Sequence, residues 1–270
     1  MTNERERQRW NEPGLAASWP RRGESVTGLT MAPLLELLAL RPGERVLDVG
    51  CGGGLLAIEA ARAVGSTGSV AGFDISEPLA QLAIGRARDA ALTNVTFTVG
   101  DAQTDEIAGG PFDALESQFG VMFFADPVAA FKNIRRHMNT GARVAFACWQ
   151  PAALNAWFQG SVLAKYAPPP PPSAHGGPPP GPFAYGDVAY VRSILESAGF
   201  MSVACRPETF EVAMPDGTLY QRDMVTGLRL DEEKTERAWK ELEAFGESFR
   251  GSDGQLHLSF APQFVTAVAV

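Results

Sequence analysis

Val46-Leu47-Asp48-Val49-Gly50-Cys51-Gly52-Gly53-Gly54 runs from an apolar stretch straight into a glycine-rich turn. The residues that follow, Leu55-Leu56-Ala57-Ile58-Glu59-Ala60-Ala61, have helical composition. Together they predict the first strand, turn and helix of a nucleotide-binding α/β domain. Glycine carries no Cβ, so the backbone can turn tightly and approach a ligand closely. The start of a helix leaves N–H groups without intrahelical partners, and these point at whatever sits in the crevice.

The glycine spacing narrows the ligand. Glycines stand at 50, 52 and 54, in the pattern G-x-G-x-G. The dinucleotide fingerprint G-x-G-x-x-G requires glycine at 55, where Leu55 stands. The phosphate loop requires a Lys-Ser or Lys-Thr pair after its last glycine, and none follows. Asp48 lies two residues before the first glycine, where a carboxylate can hold a cationic amino group or order the turn. Further on, Ser69-Val70-Ala71-Gly72-Phe73-Asp74 predicts a second strand ending in an acid. Asp74 comes 26 positions after Asp48, roughly the interval at which an acid reaches a ribose in a βαβ unit. Val95–Val99 predicts a third strand, followed by Gly100-Asp101-Ala102. Phe112–Ser117 predicts a fourth, with Gln118 and Phe119 at its carboxyl end. Taken singly, each motif also reads as an ordinary tight turn or helix cap. Their order and intervals favour a ligand role.

Asp48, Gly50, Gly52 and Gly54 together resemble the first motif of class I S-adenosylmethionine (SAM)-dependent methyltransferases. The later strands extend that resemblance over about residues 45–150. It implies an α/β fold: a Rossmann-like, seven-stranded, mostly parallel sheet of order 3-2-1-4-5-7-6, the last strand antiparallel, with helical cover elements. It implies SAM as cofactor, with Asp48, Gly50, Cys51, Gly52 and Gly54 forming the turn against it. Asp74 would bind the ribose hydroxyls and Ile75 would pack on the adenine. Asp101 and the backbone at Ala102 would recognise the adenine edge, and Gln118 and Phe119 would lie beside the sulfonium. The whole is similar to the ubiquinone/menaquinone-biosynthesis type of small-molecule methyltransferases, and Phe119–Pro127 looks like bacterial relatives of that group. The implied function is methyl transfer to an O or C nucleophile of an apolar, aromatic small molecule. The alternative is a fold relative that binds SAM in a regulatory or non-methylating role. A nicotinamide-dependent oxidoreductase fits less well, because of Leu55 and because no Tyr-x-x-x-Lys pair is present.

Composition sets the bounds. The 270 residues suit one large domain with insertions. The net charge is −8, which disfavours an electrostatic grip on nucleic-acid phosphates and points to a small-molecule acceptor as partner. Oligomeric state is not readable. Arg5, Arg7 and Arg9 alternate with Glu4 and Glu6 and predict a solvated terminal segment. Three cysteines, an odd number, suit a reducing, cytoplasmic setting. Cys51 reads as a small residue that fits the turn. No apolar run approaches the ~20 residues of a membrane span, and the amino terminus lacks the apolar core of a signal peptide.

Four segments follow. Residues 1–45 predict a helical cap, with Met31, Leu34, Leu35 and Leu38 on one helical face and Arg41-Pro42-Gly43 as its stop. Trp10 and Trp19 lie upstream and suit either closure of the site or plain packing. Residues 46–150 form the cofactor-binding core, including a helix capped by Asp126-Pro127 and a fifth strand over Arg143–Trp149. Residues 151–187 form a proline-rich insertion or lid, since Pro168–Pro172 and Pro178–Pro180 fit neither helix nor central strand. Residues 188–270 hold a helix ended by Gly199, a sixth strand over Met201–Met214 irregular at Pro207, a helical insertion at 218–248, and a seventh strand over Phe264–Val270.

Methyl transfer from a sulfonium is an in-line displacement whose leaving group is a neutral thioether, so positioning and desolvation carry most of the work. A hydroxyl acceptor also needs its proton removed. His137, His175 and His257 are the available histidines, and none stands out as the base. Tyr166, Tyr185, Tyr190 and Tyr220 are candidate pocket residues. The fourth strand lacks an Asn/Asp-Pro-Pro-Tyr/Phe motif, which marks down methylation of planar amino nitrogens. Glu116 is the only acid near its end, so no metal is expected.

Overall fold

A computed structural model describes residues 3–158, 160–166, 176–214, 220, 222–226, 228 and 230–270, with the backbone alone for 15–26 and 223. Two helices open the chain: α1 (Glu4–Trp10) and α2 (Pro13–Leu38). The turn motif follows as β1 (Arg45–Val49) and α3 (Leu55–Val64), then β2 (Ser69–Asp74), α4 (Glu77–Asp89), β3 (Val95–Val99) and β4 (Phe112–Gln118). The sheet continues through α5 (Pro127–Arg136) and β5 (Met138–Trp149). The short α6 (Gly160–Leu163) precedes α7 (Val188–Ser197), β6 (Phe200–Pro207) and β7 (Phe210–Met214). The chain ends with α8 (Asp223–Thr226), α9 (Glu232–Glu247), β8 (Leu256–Phe260) and β9 (Pro262–Ala269).

Seven strands form one sheet in the order β3-β2-β1-β4-β5-β9-β6. The first five pair in parallel, and β9 runs antiparallel to both β5 and β6. This is the expected 3-2-1-4-5-7-6 topology, with β9 in the place of the seventh strand. The chain leaves β1 towards β2 on one side, while β4 lies on the other. Their carboxyl ends therefore flank the point where such sheets bind ligands.

The β1 residues Val46 and Leu47 are fully buried, as a strand covered on both faces requires. Leu34 and Leu38, one helical turn apart on α2, are also fully buried, as are Phe112, Phe131, Phe146 and Leu115. Each contributes about 1.5–3 kcal/mol. α2 is longer than the apolar periodicity indicated and ends earlier, at Ala39. That residue adopts φ 47° and donates to Leu35 O at 3.0 Å, before Arg41-Pro42-Gly43 is reached. The cap of α5 is as expected: Asp126 Oδ1 accepts from Ala129 N at 2.9 Å, with Pro127 at the first position.

The charged segment at 4–10 forms the helix α1, in which Arg5 and Arg9 are exposed as expected and Glu6 is buried, with Asn3 buried just before it. The strands near the carboxyl end require a correction. The continuous sixth strand from Met201 to Met214 is two strands. Pro207, which has no N–H to continue a ladder, ends β6 at the sheet edge. The chain then re-pairs as β7 with β8 in a separate two-stranded ribbon, with Phe210 opposite Phe260. His257 lies on β8 of that ribbon, just ahead of the last strand β9. The charged stretch around 218–248 does carry helices. Ala238 and Leu242 of α9 pack with Leu163, Tyr220 and Val225 in a second, smaller core. Pro168–Pro172 and His175 lie outside the described residues, as does the side chain of Trp19.

Candidate functional site

The glycine turn is dictated by backbone geometry. Gly50, Gly52 and Gly54 adopt φ of 68°, 52° and 78°, a region that side chains other than glycine enter at a cost. A Cβ on Gly50 would lie 2.7 Å from Gly120 Cα, and one on Gly120 would lie 2.7 Å from Val49 O. The ends of β1 and β4 therefore touch backbone to backbone. Ser117 Oγ donates to Val49 O at 2.6 Å across the same seam. Gly50 N donates to Phe73 O at 2.8 Å, tying the turn to β2, and Arg86 on α4 donates to Gly53 O at 3.0 Å.

Asp74, at the end of β2, is held by two amides. Its Oδ2 accepts from Gly52 N at 2.7 Å and its Oδ1 from Ser76 N at 2.8 Å. Burial raises its pKa, and these N–H groups oppose the rise. Each oxygen keeps lone-pair capacity for a hydroxyl donor. Ile75 is half-buried beside it, and its carbonyl accepts from Asn11 Nδ2 at 3.1 Å.

Asp48 and Glu116 are direct partners in the β1–β4 register. Both are fully buried, and no oxygen of either has a hydrogen-bond partner. Burial, and then the charge of Asp74, pushes Asp48 up to about 8. Burial and Asp48 push Glu116 well above the usual carboxylate range. Burial and their mutual proximity disfavour ionisation of both carboxyls, so each favours its protonated form. Asp48 thus makes no hydrogen bond to the turn it precedes. Cys51 is buried above these acids, and its thiol is raised by burial, by Asp74 and by Asp48. Its thiolate is disfavoured there, in keeping with a small residue that fits the turn.

Asp101, after β3, is 3% exposed. Its Oδ1 accepts from Gln103 N at 3.0 Å and from Asn3 Nδ2 at 2.7 Å, and its Oδ2 from Asn3 N at 3.0 Å. Ala102 is buried next to it, and its carbonyl accepts from Asn133 Nδ2 at 3.0 Å. Asn3, Asn11 and Gly120 have no signature in residue order. Asn3 stands ahead of an alternating charged run, and a single polar residue there has no periodic pattern. Gly120 is recognisable only once β1 and β4 are known to be neighbours.

At the end of β4, Gln118 turns to α2, with Nε2 donating to Thr27 O at 2.6 Å and to Thr30 Oγ1 at 2.9 Å. Phe119 adopts φ 61°, an uncommon value for an aromatic residue. Its ring stacks on Trp149 with centroids 4.3 Å apart and an interplanar angle of 21°. Trp157 meets Trp149 edge-on at 5.1 Å, and Phe260 of β8 lies 5.3 Å from Trp157. Phe119, Trp149 and Phe260 are buried, while Trp157 remains half-buried. The result is an aromatic wall at the carboxyl ends of β4 and β5.

His137 caps α5, and its carbonyl accepts from Phe112 N at the start of β4. It therefore sits at the amino-terminal end of the strands, opposite the crevice. His257 pairs with Asp253 at 3.1 Å and is half exposed on the ribbon. Tyr185 is buried in the main core, and Tyr220 donates to Trp157 O. Among the described residues no group of His, Cys, Asp and Glu could hold a metal ion, and no helix is long and apolar enough to cross a membrane.

Comparison with known proteins agrees with this geometry. A methyltransferase-domain family matches residues 40–165. Nocamycin O-methyltransferase of Saccharothrix syringae is 30% identical over 190 residues, covering 67% of this chain and 68% of that protein. Demethylmenaquinone methyltransferase of Staphylococcus aureus is 36% identical over 107 residues, 40% of this chain and 44% of its own length. The chain thus matches less than half of that relative. A SAM-dependent methyltransferase structure from Aquifex aeolicus shares the fold with a TM-score of 0.53 at 15% identity, over 98% of this chain and 97% of that one. With the glycine turn, the strand-end acids and the sheet order in place, the chain belongs to the SAM-dependent methyltransferases.

Proposed function

We propose that this enzyme methylates an O or C nucleophile on a flat, apolar, aromatic small molecule. The stacked Phe119–Trp149 pair, extended by Trp157 and Phe260, carries this reading. Aromatic rings prefer offset-stacked or edge-on partners, so such a wall favours a planar acceptor over an aliphatic or charged one. The O-methyltransferase from Saccharothrix syringae, and the quinone-pathway methyltransferase from Staphylococcus aureus, are consistent with it.

The crevice suits the cofactor. Asp74, oriented by Gly52 and Ser76, offers acceptors to the ribose hydroxyls. Asp101 and the backbone beside Ala102 face the adenine edge, Ile75 its plane, and the turn at Gly50–Gly54 the remainder. When bound, SAM supplies an electrophilic methyl on a sulfonium. The chain then holds the acceptor in line and excludes water: Phe119 and Trp149 form an apolar floor beside the reacting atoms. Neither described histidine belongs to this floor, so acceptors whose hydroxyl or carbon acid ionises readily suit it best.

The test is a panel of acceptors assayed for S-adenosylhomocysteine formation. Hydroxylated naphthoquinones and phenols should turn over, and aliphatic alcohols and amines should not. Turnover confined to aliphatic or amine acceptors would overturn the proposal.

A further inference from the structure

The loops that rim the crevice are strapped together by residues 3–11. Asn3 is 6% exposed and commits both ends of its carboxamide to the site. Nδ2 donates to Asp101 Oδ1 at 2.7 Å, and Oδ1 accepts from the backbone N–H of Ala125 at 2.6 Å. The backbone N–H of Asn3 donates to the other oxygen of Asp101 at 3.0 Å. At the far end of α1, Asn11 donates to Ile75 O at 3.1 Å and accepts from Glu77 N at 3.0 Å. Ser76 Oγ donates to Trp10 O at 2.8 Å. Trp10 also meets Phe123 edge-on at 5.8 Å. One short helix thus spans the ends of β2, β3 and β4.

A carboxamide presents an N–H donor beside a carbonyl acceptor. The edge of adenine presents the same pair, an exocyclic N–H beside a ring-nitrogen acceptor. Asp101 Oδ1 already has two donors, Asn3 Nδ2 and Gln103 N, which fills the lone-pair sites of one carboxylate oxygen. Gln103 N belongs to the same loop and stays with it. An adenine amino group can therefore reach this oxygen only by displacing Asn3, and at Oδ2 it would meet the Asn3 backbone N–H that already donates there.

We propose that Asn3 holds the adenine-edge position of the crevice, so that the strap of residues 3–11 contends with the cofactor and lifts before the cofactor seats. This rests on the reading of Asp101 as the adenine acid. A buried carboxylate needs donors in every state. Asn3 and the adenine amino group supply the same donor in turn, so Asp101 keeps its donors across the exchange, while the other strap contacts favour the closed state. Apparent affinity is then lowered by the fraction of molecules with the strap raised.

Titration calorimetry and stopped-flow binding of S-adenosylhomocysteine to the full chain test the proposal. Asn3→Ala should tighten binding ~3–10-fold, the equivalent of one hydrogen bond, and raise the association rate by a similar factor. Asn3→Asp places a second carboxylate against Asp101 and should raise the association rate as well. Asp101→Ala should weaken binding. If Asp101→Ala weakens binding while Asn3→Ala weakens it too or leaves it unchanged, Asn3 serves the cofactor and the proposal is overturned. If Asp101→Ala leaves binding unchanged, the adenine reading of Asp101 fails and the proposal falls with it.

Discussion

The two sides of the cleft are made of different materials. Over β1, β2 and β3 the surface consists of backbone and carboxylates: the glycine turn, Asp74 on two amides, and Asp101 on three donors. Over β4, β5 and β8 lie packed, buried rings, from Phe119 through Trp149 to Phe260, with the half-buried Trp157 against them. The difference fits what each side would recognise under the proposed function. An adenosyl group offers hydroxyls and a polar base edge, which fixed acceptors and close backbone can match. A flat apolar acceptor offers area, which only large side chains can match. Changes on the first side should move cofactor binding, and changes on the second should move acceptor use.

The largest effect is expected at the seam that joins the two sides. Gly50→Val combines a left-handed φ with a Cβ 2.7 Å from Gly120 Cα. It should cost about 2–5 kcal/mol of stability and abolish S-adenosylhomocysteine binding, as read by thermal melts and calorimetry. Asp74→Ala should weaken cofactor binding by ~1–3 kcal/mol, with the KM of an aromatic acceptor nearly unchanged. Trp157→Ala should do the reverse, raising the acceptor KM by the equivalent of ~0.5–1.5 kcal/mol and leaving the cofactor Kd alone. If either variant shifts both parameters equally, the division between the sides is wrong.

The smallest effect concerns the buried acid pair. Asp48 stands at about 8 against an ordinary 3.8, so between those values the folded chain holds more protons than the unfolded one. Stability from this source is present below about pH 4 and is lost as pH rises through about 8. Glu116→Gln removes one of the two buried acids and its upward shift, so its Tm should fall less than the wild type's between pH 5 and pH 8. A gap of ~2–4 °C per kcal/mol relieved is expected at pH 8, and little gap at pH 5. Parallel melting curves for the two proteins across that range would contradict the raised pKa of the pair.

The two sides also differ in how much of them can be read from residue order. Backbone recognition leaves a local signature, since glycines must stand where φ is positive and acids where strands end. Gly50, Gly52, Gly54, Asp74 and Asp101 are therefore legible as a positive-φ turn and two strand-end acids, and the sheet order follows from the family resemblance they carry. The aromatic wall has no such signature. Phe119, Trp149, Trp157 and Phe260 come from separate elements and meet only through the β5–β9 pairing and the β7–β8 ribbon. That ribbon was itself hidden, because Phe210–Met214 has the same alternation as the strand before it, and only Pro207 marks the break. Asn3 escaped because its partners, Asp101 and Ala125, lie far along the chain. The acid pair escaped for the same reason: Glu116 becomes meaningful only when β4 is placed against β1.

The most direct measurement is calorimetry of the wild-type chain with S-adenosylhomocysteine, with NADH in a parallel cell and Asp74→Ala as control. One-site binding of the adenosyl compound, reduced at least several-fold by Asp74→Ala and with no heat from NADH, is the expected result. Heat from NADH alone, or equal affinity in wild type and Asp74→Ala, would contradict an adenosyl-sulfonium crevice built on the glycine turn and Asp74.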